Sequence, residues 1–95
     1  MAYLVRLRPA AQRQMAKLRG PLSIALHGAI LGLADEPRPA GSIKLAGLDD
    51  VWRVRLWIDG QPWRIVYQVD DRAQLIRVLR VARRNEGTYR RIGAG

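Results

Sequence analysis

The sequence contains no cysteine and a single histidine, His27. Without cysteine there is neither a disulfide framework nor a thiolate metal site. One histidine cannot join a second to hold a metal, so no metal and no cofactor is expected. Carboxylates are scarce as well, with eight Asp and Glu residues spread over 95 positions. No apolar run is long enough to cross a bilayer; the richest, residues 22–34, is short and contains His27. The N-terminus runs straight into "AYLVRLR" with no apolar core segment or cleavage site, which reads as a cytoplasmic protein without a membrane partner. Low-complexity tracts are missing, and 48% hydrophobic content suits one packed domain over residues 1–95 but not two.

What the chain has in excess is arginine. Seventeen basic residues against eight acidic ones give a net charge of +9, a surplus that points to a polyanionic partner, most simply nucleic acid. The excess is concentrated toward the C-terminus. Ten arginines lie between Arg53 and Arg91, against Asp59, Asp70, Asp71 and Glu86.

Hydrophobic periodicity sets the organisation. Tyr3, Val5 and Leu7 alternate with Leu4, Arg6 and Arg8, as in a strand with one wetter face. Pro9 ends that run and suits the first turn of a helix, where Ala11, Met15 and Leu18 recur at helical spacing. Gly20–Pro21 stops this helix and opens another with Leu22, Leu26, Ile30 and Leu33 on one stripe. Two helices with so short a link are expected to form an antiparallel hairpin. Gly28 and Gly32 have GxxxG spacing, which predicts a close helix or sheet approach. "DEPRPAG" ends the second helix, because its prolines forbid continuation.

Three strand-like runs follow. Trp52, Val54, Leu56 and Ile58 alternate with Arg53, Arg55 and Trp57. Asp59–Gly60 signals a turn, and Gln61–Pro62 is expected to lengthen it. Ile65, Tyr67 and Val69 then oppose Arg64, Val66 and Gln68; "QLIRVLRVARR" is apolar on both parities, like a central strand. The order predicts an α+β fold: an N-terminal strand, a two-helix hairpin, then a three-stranded antiparallel meander. The strands together make a mostly antiparallel four-stranded sheet with the helices on one face. The other face is left for the arginines.

The opening "AYLVRLRPAAQRQMAKL", the "EPRPAGSIKLAGL" connector, "WRVRLWIDGQPWRIVYQVDD" and the ending "RVARRNEGTYRRI" together resemble the RelE/ParE superfamily of bacterial toxin–antitoxin toxins, over nearly the whole chain. RelE-like members of that superfamily are ribosome-dependent endoribonucleases that cut mRNA and inhibit translation. ParE-like members act on DNA gyrase. The resemblance implies a cognate antitoxin partner, mRNA in the context of the ribosome, and a RelE-like fold. It implies catalytic roles for Arg53, Arg55, Arg64, Arg84 and Tyr89. Beside these, the local excess of positive charge makes Lys44, Arg80, Arg83, Arg90 and Arg91 candidates for further RNA contacts.

Two departures stand out: Arg53 and Arg55 occupy positions where a lysine is typical, and the Asp59–Trp63 loop reads as longer than a tight turn. Arginine forks match phosphate oxygens and stabilise charge at phosphorus, but they are poor proton acceptors. Lys44 is therefore a candidate general base, beside ribosomal RNA or no strong base at all. Gyrase inhibition and a non-catalytic RNA-binding module remain the alternative readings.

Overall fold

A computed structural model of the chain describes residues 2–83. Strand β1 (Leu4–Leu7) leads into helix α1 (Pro9–Ala16), and α2 (Gly20–Gly32) follows after three residues. A connector then carries the short strand β2 (Ile43–Lys44), and β3 (Val51–Ile58), β4 (Gln61–Asp70) and β5 (Leu75–Arg83) complete the fold. Pro9 occupies the first turn of α1, where its missing N–H is no loss. Gly20, the first residue of α2, takes φ +62°, a conformation open to glycine, which lets the chain reverse there with Pro21 in the first turn.

The strands form one five-stranded sheet in the order β1-β5-β4-β3-β2. β1 runs parallel to β5, and the other neighbours are antiparallel. The expected four-stranded sheet thus gains an edge strand, Ile43–Lys44, paired to Arg53 and Trp52. β5 lies between β1 and β4, which fits its apolar character on both parities.

The hairpin corrects the expectation of a lengthened loop. Ile58 pairs with Gln61 across Asp59–Gly60, both at positive φ (51° and 74°), so the turn has two residues and Pro62 already lies in β4 opposite Trp57.

Alternation decides which side chains meet the helices. Ala11 and Met15 of α1, Leu26 and Ile30 of α2, and Leu33 just beyond pack on Trp63, Ile65, Tyr67, Val69, Ile76, Val78 and Val81. Trp52, Val54 and Leu56 border this core from β3.

A polar network ties the connector to the sheet. Arg38 bridges Asp50 at 3.0 Å and Asp71 at 2.9 Å. Its guanidinium lies 5.3 Å from the centre of the Trp52 ring, whose Nε1 donates to Asp50 at 2.8 Å. Tyr3 donates its hydroxyl proton to Asp71 at 2.6 Å, and Tyr67 donates to the Pro37 carbonyl at 2.7 Å.

The expected close approach at the α2 glycines is not found. A Cβ at Gly28 or Gly32 would meet nothing within 4 Å, because both positions lie on the exposed side of the helix.

Two outcomes are expected. Gly28→Ala should raise the melting temperature, since helix-interior glycine costs about 1 kcal/mol against alanine and the methyl has room; a fall would show that the site is constrained. Hydrogen bonds from Arg38, then from Tyr3, hold the Asp71 carboxylate below its ordinary value of 3.8. Its stabilising effect is therefore present above the unfolded value and is lost as pH falls through the lower folded one. Thermal melts between about pH 6 and about pH 2 should show Asp71→Asn less stable at the upper end and converging with the wild type at the lower.

Candidate functional site

Directly opposed residues in a sheet project to the same side, and neighbours along a strand project to opposite sides. Since Trp52, Val54 and Leu56 face the helices with Ile65 and Trp63, Arg53, Arg55 and Arg64 must project from the other face. Arg55 stands directly opposite Arg64, and Arg53 opposite Val66. On the far side of β4, Val66 pairs with Arg80 and Arg64 with Ala82. Gln68 pairs with Arg77, which in turn pairs with Arg6 of β1.

Six arginines, Arg6, Arg53, Arg55, Arg64, Arg77 and Arg80, therefore share one face across four strands. Neighbouring strands lie about 4.8 Å apart, so adjacent positions can reach successive oxygens of one bound polyanion.

Burial divides the group. Arg53 is 7% exposed and Arg64 4%, whereas Arg55 is exposed. Guanidinium groups stay charged in proteins, so Arg53 and Arg64 are positive charges held away from water. A charge held there acts on its neighbours more strongly than a solvated one does.

Arg80 owes its position to an irregularity. Tyr67 pairs with Val78 but Val66 pairs with Arg80, so Leu79 is an extra residue on β5. In a regular strand Arg80 would follow Val78 onto the helix side. The bulge reverses the alternation, puts Arg80 beside Val66 and returns Val81 to the core. Gln14 of α1 secures this stretch, accepting the Val81 N–H at 2.8 Å just past the last β1 pair, Leu7 with Val78.

Two sequence candidates fall elsewhere. Lys44 pairs with Trp52, which places it on the helix side of β2, away from Arg53 and Arg55. A role as general base beside those arginines is thereby corrected: the register of a two-residue strand set its side, and no sequence pattern could. Arg83 pairs with Trp63 and lies with its guanidinium carbon 5.9 Å from that ring's centre, beside Gln14 and Lys17. Arg84, Tyr89, Arg90 and Arg91 lie outside the described residues.

Sequence reasoning missed Arg6 and Arg77. The alternation around Arg6 already marked it as facing the wetter side; only the parallel β1–β5 pairing joins it to the site.

The remaining surface has other features. At the β4–β5 turn a cavity of about 330 Å³ is lined by Asp49, Asp50, Asp70 and Asp71 with Arg72 and Arg77. Asp70 lies 3.6 Å from Arg77. An apolar groove of about 290 Å³ runs between α2 and β3, past Ala29, Leu33, Val54 and Leu56. Among the described residues no helix is long and apolar enough to cross a membrane.

Chemically, the arginine face can bind phosphodiesters and stabilise charge accumulating at phosphorus. The one carboxylate that strand register puts there among the described residues, Asp70, is turned toward Arg77.

Comparison with known proteins bears on the fold and the family. The chain is similar to a doubly substituted E. coli toxin RelE in the free state, with 25% identity, a TM-score of 0.75, and 95% of this chain and 93% of that one covered. It is also similar to a chain of the intact E. coli RelBE toxin–antitoxin complex, with 26% identity, a TM-score of 0.69, and 85% and 95% covered. A third likeness is to a chain of the toxin–antitoxin complex RelBE2 from Mycobacterium tuberculosis, with 27% identity, a TM-score of 0.72, and 88% and 100% covered. No curated protein matches the sequence. A family model described as "ParE toxin of type II toxin-antitoxin system, parDE" matches residues 5–87. With that span matched and the RelE architecture reproduced, the chain belongs to the ParE toxin family of the RelE/ParE superfamily of type II toxin–antitoxin toxins.

Proposed function

We propose that this toxin is a metal-independent endoribonuclease that cuts mRNA on the translating ribosome and is neutralised by a cognate antitoxin. The observation that carries this reading is the clustering of Arg53, Arg55, Arg64 and Arg80 on one sheet face, two of them dry. In the reaction the 2′-oxygen bonds to the adjacent phosphorus while the bond from phosphorus to the 5′-oxygen breaks. The 2′-hydroxyl loses a proton and the departing 5′-oxygen gains one. Arg64, Arg53 and Arg55 stabilise the added negative charge on the phosphoryl oxygens, and the ribosome holds the codon splayed for in-line attack. With Lys44 on the opposite face, the described residues supply charge and position rather than a strong base, so slow turnover is expected. Arg84 and Tyr89 keep the roles that the RelE resemblance implies for them.

The antitoxin partner follows from the family and from the complexes that the related toxins form. A +9 chain with an arginine face favours an acidic contact surface. Exposed Trp57, next to Arg55 and at 69% exposure, offers an apolar anchor beside it.

A second reading, inhibition of DNA gyrase, is favoured by the match to the family model of ParE toxins. It needs a protein-binding surface and no phosphoryl chemistry.

The two readings part on one experiment. Primer extension on a defined mRNA should show discrete cuts with translating ribosomes and none without. Arg64→Ala should slow them at least about 100-fold. Arg55→Ala should also slow cleavage while leaving the melting temperature unchanged or higher, because like charges directly opposed on a sheet repel. An absence of cuts, together with loss of gyrase supercoiling, would establish the second reading.

A further inference from the structure

Arg77 and Arg80 are three residues apart, so in a regular strand they would project to opposite faces. The extra residue at Leu79 brings both onto the arginine face. Bulges bend and twist a strand and redirect side chains, and this one moves a cation out of the core side of a central strand. The Nε–H of Arg80 is sealed from solvent and donates to no acceptor among the described residues. A buried donor left without a partner is costly, so Arg80 is kept on this face by the bulge and not by a bond from its Nε; the rest of its guanidinium, partly exposed, is what a bound oxyanion can reach. Arg77 and Arg6 continue the line toward the β1 edge, with Asp70 of β4 lying 3.6 Å from Arg77 on the side away from that edge.

We propose that Arg80, Arg77 and Arg6 form a phosphate track for single-stranded RNA, leading from the arginines of the hairpin toward β1. It is a binding extension that grips the strand on one side of the cleavage point and takes no part in bond breaking. The ligand class rests on the nuclease reading above. The geometry favours a flexible single strand: the cations follow a path across the sheet, and such a backbone can bend to meet each one.

The test uses the antitoxin-free toxin and a single-stranded RNA oligomer carrying 2′-O-methyl groups, which cannot be cut. Its affinity is measured by fluorescence anisotropy over a range of salt concentrations. Arg80→Met should weaken binding about tenfold and lower the logarithmic salt slope by about 0.7, the share of one phosphate contact on a single strand. Arg77→Ala should reduce the slope similarly, and Arg13→Ala on α1 should leave it unchanged. Because methionine keeps the stem and removes the sealed donor, Arg80→Met should melt at the wild-type temperature or above.

Wild-type binding by Arg80→Met and Arg77→Ala, with Arg64→Ala still abolishing ribosomal cuts, would overturn the track and leave the nuclease reading intact. Oligomer binding that depends on Arg80, in a protein that makes no cuts, would support the track and refute the nuclease reading. Failure of the wild type to bind the oligomer at low salt would also overturn the track.

Discussion

Arg55 and Arg64 stand directly opposite each other on neighbouring strands, with Cβ atoms about 5 Å apart by sheet geometry. Nothing in the strand pairing itself favours two like charges there. They are held because the other face of the same residues' strands is anchored: Leu56, Trp63 and Ile65 pack against the helices, and slipping the register by one residue would exchange the core for the arginines. The hydrophobic face thus fixes the charged face. Along β3 and β4 the residues that hold the sheet against the helices alternate with those of the opposite face, Arg53, Arg55 and Arg64 among them, and neither set can move without the other.

The same logic explains what the sequence disclosed and what it withheld. Alternation of Trp52, Val54 and Leu56 with Arg53 and Arg55, and of Ile65, Tyr67 and Val69 with Arg64, is a local pattern, so both strands and the side of three site arginines were legible. The helices were legible from Ala11, Met15 and Leu18 and from Leu22, Leu26 and Ile30, because burial repeats every turn. Side assignments that depend on partners far along the chain were not. Arg6 joins the site through a parallel pairing with β5, some seventy residues away. Lys44 lies on the helix side because of how two residues of an edge strand meet β3. Arg80 depends on a bulge that no composition signal announced. Pro62 suggested a longer turn, yet a strand tolerates it one pair beyond Asp59–Gly60.

The connector between α2 and β3 shows how a small protein spends its few carboxylates. Asp50 and Asp71 both bind Arg38, and Trp52, Tyr3 and Tyr67 complete the attachment to the Pro37–Arg38 segment and its sheet partners. Loops of this length are otherwise free to move, and this one covers the sheet end where β1 and β5 meet the turn. The "PRP" that marked a helix stop in the sequence thus also carries the residue around which the polar anchor is built.

The carboxylates lining the β4–β5 turn and the arginines toward the β3–β4 hairpin lie at opposite ends of the same strands. The sheet is therefore an electric dipole as well as a scaffold. A field of that shape exerts torque on the molecule while a polyanion is still beyond contact, turning the hairpin end forward and the aspartate end away. Such steering acts over distances set by the screening length, about 8 Å in physiological salt. The few acidic residues of a strongly basic chain thereby give its encounters a direction.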